Sequence, residues 1–426
     1  MYRGGPVQAH RAAPVPFAHQ GGPVAKSVAE HRAEVEELLR FAARASLAGS
    51  ESVAVEAAYG RVLAADVVAP MSLPPFANSQ MDGYAVRSAE TSGGAELPVA
   101  ATIPAGYAAP ALAPGSAAPI MTGAMLPEGA DAVVPIEEAV PDRFLAEDDG
   151  RTVRLPETPA GRFIRGVGSD IAAGSLALAA GTVLKAPQLG LLAALGLASA
   201  AVRPRLRVLL LSTGDEVVAA GGALDAGQIF DANNTMLAAS LREAGCEVVE
   251  SRILADAAPE FRRLLDAELR RQRADLVLTS GGISKGAFEV VRLALEPEGV
   301  AFGPVAMQPG GPQGAGRIGD AVFLGFPGNP VSCLVSFEMF LRPALTAALG
   351  TPAPRTVLRV PLADAADSPA AKHQVRRGHY DGGRVRLVGG AESHLVHAMA
   401  QSNALVHLPV GTGHAEAGQD VEIWLL

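Results

Sequence analysis

From residue 206 onward the chain alternates short apolar runs with longer stretches of helical spacing. Val208-Leu209-Leu210-Leu211 reads as a buried strand, and residues 233–245 as a helix opened by Asn233-Asn234-Thr235 and stopped at Gly245. Residues 248–254 predict a second strand, and a helix over 259–272 leads to a third strand at 276–278. That strand runs into Thr279-Ser280-Gly281-Gly282-Ile283-Ser284-Lys285-Gly286 and then a helix from Ala287 to about Leu295. A further strand at 322–326 ends in Pro327-Gly328-Asn329-Pro330, followed by a helix to about Leu341. Strands alternating with helices predict a mostly parallel sheet with helices on both faces.

The flanking sequence has other periods. Val28, Val35, Leu38, Leu39 and Ala42 lie on one face of an amphipathic helix over 27–47, and Pro187 opens a helix through 197. Residues 52–66 give a short Val-Ala-Val stretch and a helical turn closed near Gly60. Between 86 and 155, short runs such as 117–121 and 131–136 alternate with turn signals, which predicts a small all-β domain. Runs at 357–360, 385–388 and 404–408 predict a second one, a barrel or sandwich, at the C-terminus.

Charge and composition narrow the function. Lys plus Arg number 35 against 44 Asp plus Glu, a formal charge of -9, which argues against a general nucleic-acid binder. No run of about 18 apolar residues suggests a membrane span, and the Gly-, Pro- and Ala-rich first two dozen residues contain no apolar signal region. Cys246 and Cys333 are the two cysteines, neither with a partner at zinc-site spacing, which fits a reducing cytoplasm.

In an open parallel sheet, ligands bind at the carboxyl ends of the strands. That rule brings Asp215-Glu216, Asp256, Ser280-Gly281-Gly282-Ser284 and Gly328-Asn329-Ser332 to one edge. Singly, Asp215 is an ordinary turn former, Asp256 an N-cap and the glycine loops tight connections; their convergence argues for a site. Glycine loops can approach phosphate oxygens closely, whereas Asp215, Glu216, Asp256 and Glu289 would repel them. Mg²⁺, which binds through one or two carboxylates plus substrate phosphates, resolves the conflict, with Asp215, Glu216 and Asp256 as its expected ligands. Lys285, Arg165, Arg203 and Arg205 are sources of positive charge. Two loops upstream are less specific: Asp82, in Asn78-Ser79-Gln80-Met81-Asp82-Gly83-Tyr84, serves either a turn or a site, and Met121-Thr122-Gly123-Ala124 alone reads as a β-turn. No Gly-x-x-x-x-Gly-Lys-Ser/Thr occurs, and no Gly-x-Gly-x-x-Gly follows a strand. The residues by themselves lead to a metal-assisted binder or transferase for a phosphorylated or nucleotidylated ligand.

In this order and spacing, residues 74–87 (Pro-Pro-Phe-Ala-Asn-Ser-Gln-Met-Asp-Gly-Tyr-Ala-Val-Arg), Met121-Thr122-Gly123-Ala124, Ser212-Thr213-Gly214-Asp215-Glu216, Ser280-Gly281-Gly282-Ile283-Ser284 and Pro327-Gly328-Asn329-Pro330-Val331-Ser332 resemble the MoeA family of molybdopterin molybdenumtransferases, relatives of the gephyrin E domain. The resemblance implies an α/β multidomain chain. A disordered tail covers 1–23, an elongated linker and dimerisation domain is formed from 24–67 with 162–202, and a small β domain spans 68–161. A mostly parallel-sheet molybdopterin-binding domain spans 203–347, and a C-terminal β-barrel domain 348–426. It implies a homodimer that converts adenylylated molybdopterin and molybdate, with Mg²⁺, into molybdenum cofactor and AMP. Carried over by position, Asp82, Thr122, Glu216, Asp256 and Glu289 are the catalytic set. Ser280, Gly281, Gly282, Ser284, Lys285, Gly328, Asn329, Ser332, Arg377 and Ser393 are the substrate-binding set, the last three toward molybdate.

The chain departs from the family pattern in three places, one of them the arginine loop, where Gly166-Val167-Gly168-Ser169-Asp170 replaces a more acidic Gly-Glu-Asp. Glu289 stands where a shorter carboxylate is usual, and Gln308-Pro309-Gly310-Gly311-Pro312 lacks both lysines of Lys-Pro-Gly-Lys-Pro, a loss that Lys285 is placed to offset. Two other functions stay open: a non-catalytic pterin-binding or scaffold homologue, and a molybdopterin adenylyltransferase.

Overall fold

A computed structural model describes residues 25–145, 150–254, 258–284 and 289–426. The chain forms two compact units, one made of residues 49–204 and the other of the segment up to Ala48 together with Arg205–Leu426.

At the centre of the second unit is a six-stranded sheet in the order Glu247–Leu254, Arg207–Thr213, Leu276–Ser280, Ala321–Phe326, Pro312–Ile318, Ala301–Pro304. The first four strands are parallel; the last two add an antiparallel edge. That edge was not legible as strands, because Gly303, Gly314 and Gly316 interrupt the apolar pattern. Alternation of side chains across the pleat explains why the central strands are apolar throughout. Val208, Leu210, Leu276, Leu278, Val322 and Leu324 enter the core on one face, packed with Leu237 and Leu241 of the helix Asn233–Glu243. Leu209, Leu211, Val277 and Phe323 enter the core on the other, with Phe261 and Leu265 of the helix Ala258–Gln272.

Two helices bear on the sequence reading. Val28–Ala48, expected in a linker domain with residues 49–67, places Val35, Leu39 and Ala42 in the core of the α/β unit, so its apolar stripe belongs to the sheet. The segment Pro330–Leu349 has a mean hydropathy of 1.3 over its most apolar 18-residue window and passes the length and composition test for a membrane span. Of that window 72% is buried within the protein, and Val335, Phe337, Phe340 and Leu341 lie in the sheet's core.

The C-terminal part of this unit is a β-structure whose strands Val385–Leu387, His373–Tyr380, Ala404–Leu408, Asp420–Leu425 and Val357–Pro361 are hydrogen-bonded in that order. A bridge between Leu362 and Val385 closes the ring around Val360, Val406 and Ile423.

In the unit 49–204, antiparallel two-stranded pairs tie Glu51–Ala54 to Ser199–Val202 and Val67–Val68 to Leu176–Leu178. The three-stranded sheet Ala118–Ile120, Gly83–Val86, Ala132–Pro135 forms the middle of the β part. Its central strand explains two residues of the Met-Asp-Gly-Tyr motif. A Cβ at Gly83 would sit 2.0 Å from the Val134 carbonyl oxygen, so only glycine allows these strands to meet. Tyr84 is fully buried, its hydroxyl donating to the Arg143 carbonyl at 2.7 Å.

Candidate functional site

A cleft of about 970 Å³ opens at the carboxyl ends of the parallel strands. Ser212–Gly214 and Glu216 line it from the end of the strand Arg207–Thr213, Ser280–Ser284 and Glu289 from that of Leu276–Ser280, and Pro327–Pro330 with Ser332 from that of Ala321–Phe326. Residues 391–394, from the C-terminal β-structure, complete it.

The two glycine loops touch here. A Cβ on Gly328 would lie 3.4 Å from the Gly281 Cα, and one on Gly281 would lie 3.0 Å from the Thr213 carbonyl oxygen. Gly281 also has φ +90°, a conformation that side-chain-bearing residues rarely adopt. Close backbone packing of this kind leaves the main chain, not side chains, facing a ligand.

Polar groups around the cleft fall into two classes. Some are committed: the Asp231 carboxylate accepts from the Ser212 hydroxyl at 2.7 Å and from the Asn234 N–H at 3.0 Å, and Glu289 accepts the Ser284 N–H at 2.9 Å. Others have no hydrogen-bond partner among the described residues although solvent does not reach them: the hydroxyls of Thr213 and Ser280 and the side-chain oxygen of Asn233. Buried polar groups in native proteins are normally paired, so these three atoms beside one cleft are candidates for pairing by a ligand.

Of the residues singled out in the sequence, Ser280, Gly281, Gly282, Ser284, Gly328, Asn329, Ser332, Ser393, Glu216 and Glu289 line this cleft. Asp256 and Lys285 lie outside the described residues. Asp215 is not among the lining residues, so Glu216 is the carboxylate of that loop that faces the cleft. Arg377, expected to hold molybdate, is 1% exposed and contributes no surface to the cleft. Its guanidinium donates to the carbonyls of Gly390 and Glu392, and Arg376 donates to that of Gly389 at 3.1 Å. The two arginines thus clamp the backbone that delivers Ser393, whose own carbonyl accepts the Val331 N–H at 3.1 Å.

The glycine loop at 281–282 differs from the simple anion cradle its sequence suggests. Its helix is Val290–Leu295, and Glu289 at the N-cap position already occupies the Ser284 N–H. The sequence reading also passed over Phe230, Asp231, Asn233, Glu392 and His394, all of which line the cleft. Asn233 had a visible signal but it pointed to helix capping; nothing local marks Glu392 or His394, because only the fold brings that loop to the sheet edge.

Asp82 and Thr122 belong to the other unit, where the structure pairs them. The carboxylate accepts the Thr122 N–H at 2.6 Å and its hydroxyl at 2.8 Å, and these bonds, the backbone one foremost, hold the Asp82 pKa below its ordinary value.

Among the described residues no group of three or more His, Cys, Asp or Glu side chains converges as a metal cage. The cleft does offer hard oxygen donors, with Glu216 and Glu289 on its walls beside the glycine loops. That set fits Mg²⁺, which needs only one or two carboxylates when phosphates supply further oxygens, and does not fit zinc.

Comparison with known proteins decides the lineage. Residues 26–196 match the MoeA N-terminal region (domain I and II), 209–347 a probable molybdopterin binding domain, and 359–426 the MoeA C-terminal region (domain IV).

The chain belongs to the MoeA family.

Molybdopterin molybdenumtransferase 2 of Mycobacterium tuberculosis is 43% identical over 94% of this chain and 99% of its own length. Molybdopterin molybdenumtransferase of Haemophilus influenzae is 36% identical over 88% and 93%. The crystal structure of the molybdopterin biosynthesis MoeA protein of Pyrococcus horikoshii covers 94% of this chain and 99% of its own, with a TM-score of 0.77 at 28% identity. The matched molybdopterin-binding domain contains the three strand-end segments that line the cleft, 212–216, 280–284 and 327–332, and the C-terminal match contains residues 391–394.

Proposed function

We propose that this MoeA-family chain is a molybdopterin molybdenumtransferase that acts on the adenylylated pterin, taking molybdate and releasing molybdenum cofactor and AMP. One observation carries the reading: two glycine loops meet at the ends of adjacent parallel strands, beside the unpartnered hydroxyls of Thr213 and Ser280 and the carboxylates of Glu216 and Glu289. Hydroxyls and main-chain N–H groups there are suited to donate to phosphate oxygens, which accept hydrogen bonds and bear the negative charge that the site must balance. The family names of the relatives support the same activity.

In this reading Glu216 and Glu289 hold Mg²⁺. The ion supplies positive charge between the phosphate oxygens and the carboxylates that would otherwise repel them. Ser332 and Ser393, neighbours through the bond from the Val331 N–H to the Ser393 carbonyl, face molybdate, and Arg377 holds the backbone carbonyls at 390 and 392 beside Ser393. The resemblance further supports a cytoplasmic homodimer in which Asp82 and Thr122 serve the partner copy.

A second reading, pterin binding without turnover, draws on the missing lysines. Gln308 lines the cleft and accepts from the Gln374 amide at 3.1 Å, and Gly311 adds no charge. Incubating the pure protein with adenylylated molybdopterin, molybdate and Mg²⁺ separates the possibilities. Molybdate-dependent AMP release is expected; substrate binding without release would establish the second reading, and consumption of ATP with unmodified molybdopterin an adenylyltransferase.

A further inference from the structure

Asn233 is the first residue of the helix Asn233–Glu243, one position past the N-cap, where asparagine ordinarily caps the backbone. Here no side-chain cap bond forms from the N-cap residue Ala232, and Asp231 takes the Asn234 N–H instead. The Asn233 amide is turned elsewhere. Its Nδ2 donates to the carbonyl of Gly328 at 2.7 Å, joining the connection that follows the strand Arg207–Thr213 to the glycine loop after Ala321–Phe326. That bond fixes the orientation of the amide, because the flipped form would set two carbonyl oxygens against each other at the same distance. Oδ1 is therefore the atom left over, shielded from solvent and without a partner among the described residues, in a residue that lines the cleft.

The chemistry of that atom selects its partner. The neighbouring hydroxyls of Thr213 and Ser280 can donate to phosphate or molybdate oxygens. Asn233 Oδ1 can only accept, and an ionised phosphate or molybdate offers it nothing but further acceptors. A buried acceptor left unpaired is costly, and a ligand donor removes that cost.

We propose that Asn233 is a specificity-determining residue that accepts a hydrogen bond from an organic ring of the substrate, the pterin or the adenosine, and not from its phosphates. The proposal rests on the functional reading above for the identity of those rings. It assigns recognition of the heterocycle to the wall formed by residues 229–233 and recognition of the phosphates to the glycine loops.

Calorimetric binding in EDTA, which removes any metal contribution, tests it with three probes: molybdopterin, AMP and inorganic pyrophosphate. Asn233→Ala is expected to weaken molybdopterin or AMP by tenfold or more while leaving pyrophosphate within twofold. Whichever probe is weakened identifies the ring. Asn233→Leu, which keeps most of the side-chain volume, is expected to give the same pattern, and equal melting temperatures exclude a folding defect. Parallel loss of all three probes would overturn the proposal, since Asn233 would then serve only to hold the Gly328 loop. Unchanged affinities would overturn it as well. Wild-type protein that binds the probes but releases no AMP defeats the catalytic reading while leaving the Asn233 result interpretable; wild-type protein that binds none of them defeats both.

Discussion

The carboxylates around Asp82 in one unit and the polar groups of the cleft in the other are built in opposite ways. In the unit 49–204 three carboxylates are engaged by neighbouring donors: Thr122 supplies two bonds to Asp82, Glu138 takes both arms of Arg162 at 2.8 and 2.5 Å, and Asp131 accepts the N–H and hydroxyl of Ser88. In the cleft of the α/β unit, Thr213, Ser280 and Asn233 keep unpaired atoms among the described residues. An unsatisfied buried group costs about 1 to 3 kcal/mol, so three of them on one sheet edge are a standing destabilisation that ligand binding relieves. On the proposed function, Asp82 is pre-set by its own neighbours, whereas the cleft keeps polar atoms for a ligand to pair.

The largest expected effect comes from destroying the backbone contact between the glycine loops. Gly281→Val forces a β-branched residue to φ +90° with its Cβ 3.0 Å from the Thr213 carbonyl oxygen, and should lower AMP release by more than a hundredfold in a steady-state assay. Activity within threefold of wild type would show that these loops do not face the reacting groups. Next, Ser280→Ala removes one unpaired hydroxyl. A hydrogen bond to a charged group is worth about 1.5 to 3 kcal/mol, so substrate affinity should fall by roughly tenfold or more while the apo melting temperature holds or rises. A melting temperature that falls sharply in the apo protein would mean that Ser280 has a structural partner.

Much of this was readable before any coordinates. The three inner parallel strands announced themselves because residues buried on both faces are largely apolar, and the glycine loops because glycine tolerates their backbone. What the sequence could not display was long-range: that Asp82 and Thr122, 40 residues apart, share two hydrogen bonds, or that residues 391–394 reach the edge of a sheet formed some 60 to 180 residues earlier. Arg377 shows the limit most clearly. Its position matched a ligand, yet a buried guanidinium bonded to carbonyls is a different device from one facing an anion.

That difference gives a smaller test. Arg377→Ala should raise the KM for molybdate by about three- to tenfold through a loosened Ser393 loop, with pterin affinity unchanged. Arg377→Lys, which can still reach a carbonyl, should recover part of the loss, whereas a direct anion contact would show kcat and KM failing together in both variants.

The smallest effect sharpens the other side of the comparison. Because Thr122 holds the Asp82 pKa below its ordinary value, the carboxylate's contribution to stability is present above the unfolded value near 3.9 and is lost as pH falls through the lower folded one. Thr122→Val removes the hydroxyl bond and keeps the stronger backbone one, so carboxyl NMR should find the Asp82 pKa moved part of the way back up. No movement would mean that the hydroxyl bond is not formed in solution.

Hydrogen–deuterium exchange of the full chain, with and without adenylylated molybdopterin, reads the central contrast directly. The substrate is expected to slow exchange in the loops at 212–216, 280–284, 327–332 and 391–394. Protection confined to other segments, with those four unchanged, would contradict the placement of the substrate in this cleft.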